Sequence, residues 1–211
     1  MFVLDDTGAT LVGIAVVLFG YVVFGLTGFG ASLFTVPVLS HFYPLPLVLA
    51  LAALLDLAGA ITVGVHGRRE AAVQELKLLV PFSLAGAVLG VSLLVSLPRA
   101  ASLAALGAFI GGYGLYQLVS RRAPLPISRV WAPLAGTLGG ATGTLFGMGG
   151  PPYLIYLSRR IGDKNVLRAT MGVMVWFSLV IRLLVFAGAG VLLQEGLAAG
   201  LLWFVPAAAA G

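Results

Sequence analysis

The sequence predicts an all-α polytopic membrane protein made of two inverted-topology repeats, each opening with a glycine-broken helical hairpin, the second repeat incomplete. Three observations carry this. Of 211 residues, 60% are hydrophobic and only 9% charged, with a mean hydropathy of +1.10; soluble domains run near one-quarter charged. Apolar runs of spanning length recur along the chain, too many for one anchor and too long for a signal peptide. Two glycine clusters, "GLTGFGAS" at 25–32 and "GTLFGMGGPP" at 143–152, interrupt those runs where an ordinary span would continue.

Spans are expected at about 9–26, 45–65, 77–97, 101–119, 130–147, 166–190 and 196–211. Two shorter apolar pieces, 31–43 and 151–158, directly follow the glycine clusters. Each either continues the preceding helix or turns back as the second arm of a hairpin. Basic residues concentrate in cytoplasmic loops, and this decides between the two. Continuous helices put Arg68, Arg69, Lys77, Arg121, Arg122 and Arg129 inside but strand Arg159, Arg160, Lys164 and Arg168 outside with Arg99. Hairpins bring that second cluster inside and leave only Arg99 outside, together with Asp5, Asp6 and Glu195. The expected protein is therefore multi-pass in the cell membrane, with its N-terminus outside and basic loops 66–70, 120–129 and 159–168 cytoplasmic. The net charge of +5 reads as loop anchors in the lipid bilayer, with no nucleic-acid partner.

The segment "SRRAPLPISR" at 120–129 is the one linker rich in proline and charge. It separates a first membrane repeat at 1–119 from a second at 130–211. "GFGA" at 28–31 parallels "GMGG" at 147–150, and "VPFSLAG" at 80–86 parallels "VPAAAAG" at 205–211. With hairpins counted, the first repeat crosses an odd number of times, so the second enters inverted, the plan of many secondary transporters. The second parallel pairs residue 211 with Gly86, leaving no counterpart of 87–119, so the second repeat is expected to be truncated.

A break at membrane depth leaves backbone groups unpaired at several kcal/mol each, and is tolerated where protein or a wet cavity supplies partners. Glycine lets the backbone turn and approach a ligand, and proline suits the first turn of a new helix. The new helix start has free N–H donors and a positive dipole end, so an anion is its natural ligand. Gly28, Gly30 and Ser32 in the first cluster, and Gly147, Gly149, Gly150, Pro151 and Pro152 in the second, are the expected substrate-binding positions. Glycines spaced by four, such as Gly139, Gly143 and Gly147, also serve close helix packing.

Two ionisable residues lie deep in predicted spans: Asp56 in "LAALLDLAGAI" and Arg182 in "FSLVIRLLVF". Each must face protein or water. They form a salt bridge fastening the two halves, or Arg182 is the counter-charge for a bound oxyanion while Asp56 takes up a proton. Ser32, Thr35, Thr142, Thr144 and Ser178 could donate to an oxyanion, although such hydroxyls more often bond their own helix. Trp131, Trp176 and Trp203 read as interface or packing aromatics.

Other chemistries find little footing. Without cysteine there is no disulfide or thiolate metal site, and the two separated histidines, His41 and His66, make no metal centre. No cofactor is expected. The sequence has no HExxH, no second intramembrane carboxylate for an aspartyl hydrolase, and no GxxxxGK[ST] for nucleotide phosphates.

The stretches "GLTGFGASLFTVPVL", "HGRRE" and "GTLFGMGGPPYLIYLSRRIGDKNVLRAT" with the following "LVIRLL" resemble the TauE/SafE family of membrane permeases, from about residue 10 to the end. The second glycine motif is the more specific. The resemblance implies two related halves and the movement of sulfite, sulfoacetate or other sulfur-containing anions, often outward. The expected function is a secondary transporter of a small sulfur oxyanion or organosulfonate, possible proton coupling included. A non-transporting membrane subunit or inactive permease relic is the alternative.

Overall fold

A computed structural model describes residues 7–27, 31–63, 70–119, 126–193 and 196–210. These are helical almost throughout: α1 (Thr7–Thr27), α2 (Ala31–Phe42), α3 (Leu45–Val63), α4 (Val73–Ser96), α5 (Arg99–Val119), α6 (Ala132–Phe146), α7 (Gly150–Ser158), α8 (Lys164–Gly188) and α9 (Leu197–Ala210). A 3₁₀ turn, Arg129–Trp131, leads into α6, and another, Val191–Leu193, follows α8. Of these, α4, α5 and α8 are each long and apolar enough to cross a membrane unaided.

Helix α3 is apolar on every face but for the buried Asp56, and accordingly sits at the centre. Its stretch from Leu47 to Ala53 is almost wholly buried. At the other extreme, α5 fully buries only Ser102 and Leu106, while Leu103, Ala105, Phe109 and Ile110 pack partly buried against the core.

The expected turn-backs are present. Gly13 of α1 lies against Leu39 of α2, Gly20 against Thr35, and Phe19 meets Phe34 edge-on at 5.3 Å. Positions rising along α1 meet positions falling along α2, which is an antiparallel hairpin. Likewise Gly139 of α6 stacks on the Tyr153 ring of α7, and Gly143 stands against Gly149. With nine residues, α7 rises only about 13 Å, under half of a hydrocarbon core about 30 Å thick. The helical part of this arm is therefore shorter than the full return crossing that was expected.

The two hairpins enter from opposite ends of the bundle. At one end the Arg99 guanidinium donates to the carbonyls of Ser40 and His41, 2.8 and 3.4 Å away, joining the end of α2 to the start of α5. At the other end the buried Glu75 near the start of α4 accepts from Arg129 (3.1 Å), Arg160 (3.2 Å) and the Tyr156 hydroxyl (2.6 Å). That carboxylate gathers the starts of α4 and α6 and the end of α7. Helix α4, 24 residues long, holds the two ends about 36 Å apart.

Helices α4 and α6 run parallel with their backbones nearly touching. A Cβ at Gly90 would fall 2.6 Å from the Ala141 carbonyl oxygen, and one at Gly136 would fall 2.8 Å from that of Leu79. Gly86 and Gly140 face the partner backbone in the same way. Small residues four apart on both helices allow the approach, so dispersion between backbones replaces a hydrophobic force that lipid does not supply.

Two stability tests follow from this packing. Gly140→Ala sets a methyl against backbone that cannot yield, an overpacking of about 1–3 kcal/mol, and lowers the thermal midpoint in detergent by about 2–12 °C. Gly107→Ala on α5, where a Cβ meets open space, leaves it unchanged. At the charged end, Glu75→Ala lowers the midpoint more than Arg129→Ala, because the carboxylate serves three partners while Arg129 is half exposed.

Candidate functional site

The second glycine cluster breaks the chain by an identifiable device. Gly147 adopts a left-handed conformation (φ 76°), at which its N–H still reaches the Gly143 carbonyl while Met148 N–H bonds that of Thr142. This caps α6 and redirects the backbone, and α7 starts three residues later. A side chain here would strain the backbone and press on the neighbouring hairpin, since a Cβ at Gly147 lies 3.2 Å from that of Ser32. Gly147 and Ser32 are thus where the two hairpins meet.

The diproline changes what the new helix start can offer. A helix leaves its first four N–H groups unpaired, but Pro151 and Pro152 have none. The donors at the break are Gly149 and Gly150, and neither donates a hydrogen bond among the described residues. Both line a cavity of about 60 Å³ between the hairpins and α3 and α8. A water needs roughly 10–15 Å³, so a group of a few heavy atoms fits.

Both deep charges reach this cavity. Asp56 is 6% exposed and Arg182 is 3% exposed. The Asp56 carboxylate accepts from the Tyr21 hydroxyl (2.8 Å) and the Ser32 hydroxyl (2.9 Å). The nearest guanidinium nitrogen of Arg182 is 4.0 Å from it, too far for a hydrogen bond. Arg182 instead donates to the Leu49 carbonyl on α3 and lies over the Phe186 ring at 5.5 Å. Its Nε is buried without a partner among the described residues. The pair is a loose contact beside a cavity, with donor capacity left over on the cation.

The structure thus brings together Ser32, Gly147, Gly149, Gly150, Pro151, Asp56 and Arg182, with Ser178, Met148 and Tyr153 on the same wall. Gly28 and Gly30 lie outside the described residues, as does His66. Pro152 departs from expectation. It borders an outer groove instead of the cavity, because consecutive residues of a helix point about 100° apart. Thr35 and Thr142 bond carbonyls of their own helices, as membrane-helix hydroxyls commonly do. Gly139 packs against the Tyr153 ring, and Gly143 stands against Gly149 while also bordering the cavity. His41 closes the last turn of α2, a ring nitrogen 2.8 Å from the Pro37 carbonyl.

Tyr21, the closest partner of Asp56, carried no signal beyond being a polar-tipped residue in an apolar span. Tyr153 is similar: fully buried, its hydroxyl 2.5 Å from that of Ser83 on α4, it anchors the start of α7 from behind. Both tyrosines act through contacts between spans that lie far apart in the chain.

No curated protein and no solved structure matches the chain. A family model does: that of the sulfite exporter TauE/SafE matches residues 12–211, nearly the whole length, and takes in both glycine clusters and both buried charges. The chain belongs to the TauE/SafE sulfite exporter family, whose members are membrane transporters and not enzymes.

Proposed function

We propose that this transporter moves sulfite or another small sulfur oxyanion or organosulfonate by alternating access, binding it at the broken helices near the membrane midplane. The observation that carries the proposal is Arg182. A buried guanidinium whose Nε has no partner among the described residues, and whose nearest carboxylate there is 4.0 Å off, has donors to offer a ligand that comes and goes. A planar fork of donors suits an oxyanion. The N–H groups of Gly149 and Gly150, at the positive end of α7, supply the opposite wall.

Asp56 gives a route to proton coupling. While it is ionised, its charge offsets that of Arg182 and an entering anion meets no net attraction. Protonated, it keeps both hydroxyl neighbours and leaves the guanidinium free for the anion. Anion and proton then occupy the site together without adding charge to it, which keeps the cost of burial low. The salt bridge and the counter-charge readings of this pair become two steps of one cycle.

The inverted relation of 1–119 to 130–211 about the linker 120–129 is part of the same proposal, supported by hairpins that enter from opposite ends and meet at Ser32 and Gly147. The orientation with the N-terminus outside is supported by the grouping of Arg129, Arg159 and Arg160 at one end and Arg99 at the other.

The test is sulfite flux into proteoliposomes with and without a pH gradient. Uptake should quicken when the sulfite side is acidic, the sign set by a proton that must arrive with the anion. Arg182→Gln should weaken sulfite binding about 10- to 100-fold, the scale of hydrogen bonds to a charged group, and flux at the wild-type rate in that variant would remove Arg182 from the site. Asp56→Asn should retain exchange but lose the response to pH. Folded wild-type protein that moves neither sulfite nor sulfonates would end the anion-carrier reading.

A further inference from the structure

A second, larger cavity lies on the outer surface, separate from the first except at Pro151, which borders both. It is a groove of about 660 Å³ between α5 and the α6–α7 hairpin, within the roughly 300–1,000 Å³ of ordinary ligand pockets. Its two ends differ in character. The deep end is made of Phe109, Leu138 and Pro152. The other end, at the level of the Glu75 cluster, carries Trp131, Tyr116 and Arg159.

This is the profile of an amphiphile. From Pro152 to Arg159 the wall rises about 10 Å along α7 at 1.5 Å per residue, which falls within one leaflet, about half of a 30 Å core. Trp131 and Tyr116 sit at the polar end, where aromatic rings with polar tips mark the interface. The groove opens outward along exposed apolar residues, Leu134 and Leu138 among them, and so faces lipid in a membrane-embedded chain.

The charge at the polar end selects among lipids. Arg160, next in sequence, is committed to Glu75 and to the Ile127 carbonyl, and Arg129 is committed to Glu75 and Gln74. Arg159 pairs with no carboxylate among the described residues. It donates to the Tyr116 hydroxyl at 3.1 Å, while its Nε is buried without a partner among the described residues. A guanidinium with spare donors at the mouth of an apolar groove calls for an anionic group on an apolar tail.

We propose that this groove binds an anionic phospholipid, its phosphate held by Arg159 beside Tyr116 and Trp131 and one acyl chain lying against Phe109, Leu138 and Pro152. Basic pockets between transmembrane helices hold anionic head groups by the same physics. The inference does not rest on the transport cycle, and its test reads lipid binding alone.

Trp131 supplies the probe. In full-length protein carrying Trp176→Phe and Trp203→Phe, reconstituted in phosphatidylcholine, Trp131 fluorescence is titrated with phosphatidylglycerol or phosphatidylcholine bearing identical brominated chains. Brominated phosphatidylglycerol should quench at about fivefold lower mole fraction, the preference expected from one basic residue at a membrane surface. Arg159→Gln should abolish that preference, while Arg168→Gln, an exposed charge outside the groove lining, should leave it intact. Equal quenching by the two lipids overturns the proposal, as does a preference that survives Arg159→Gln. Shielding of Trp131 from both lipids that grows with protein-to-lipid ratio also overturns it, and assigns the groove to a second copy of the chain.

Discussion

Asp56 and Arg182 stand 4.0 Å apart in the interior, and their needs organise the centre of the bundle. Either charge alone at the middle of a bilayer costs about 2.5–3.5 kcal/mol on insertion scales, so every helix around them contributes relief. Tyr21 comes from α1, Ser32 from α2, the Leu49 carbonyl from α3 and Phe186 from α8. Four elements are thereby held to one point. Among the described residues the carboxylate accepts two hydroxyl hydrogen bonds, whereas the guanidinium keeps an unpartnered Nε. In a structural pair the two groups would close to hydrogen-bonding distance and satisfy one another.

Small residues make this arrangement possible in two different ways. Between α4 and α6 they remove side chains so that backbones pack against each other along several turns. At Gly147 the absence of a Cβ permits a left-handed turn and a close approach to Ser32. The first use is shape alone. The second places unpaired N–H groups beside a cavity, where they are tolerable because a polar ligand or water can reach them. Pro151 and Pro152 sharpen the break but remove two donors, which leaves Gly149 and Gly150 as the N–H groups at this helix start.

The ends of the bundle are secured by other means. Glu75 collects three donors at one end, and Arg99 binds two carbonyls at the other. These polar ties sit where water can solvate what the protein leaves over, which lets them use long charged side chains. The middle, without that solvent, relies on hydroxyls, carbonyls and close packing. Arg159, which pairs with no carboxylate among the described residues, belongs to the polar end yet borders the apolar groove.

Much of this was legible in the amino-acid order. Composition demands a membrane, apolar run lengths mark each helix to within a few residues, and the basic residues sort the two short pieces into returning arms. The glycine–proline cluster at 147–152 marks its own break, because those residues act on the backbone where they stand. Asp56 and Arg182 declare themselves by being ionisable in apolar spans. What local order cannot carry is which side a residue faces and what it meets across the bundle. The partnership of Tyr21 with Asp56, the Glu75 cluster, the outward turn of Pro152 and the 4.0 Å gap between the buried charges all depend on helices distant in the chain. Propensity and hydropathy are sums over neighbours in sequence, whereas these contacts arise only when α1, α3, α7 and α8 are packed, and packing decides the direction of every side chain between them.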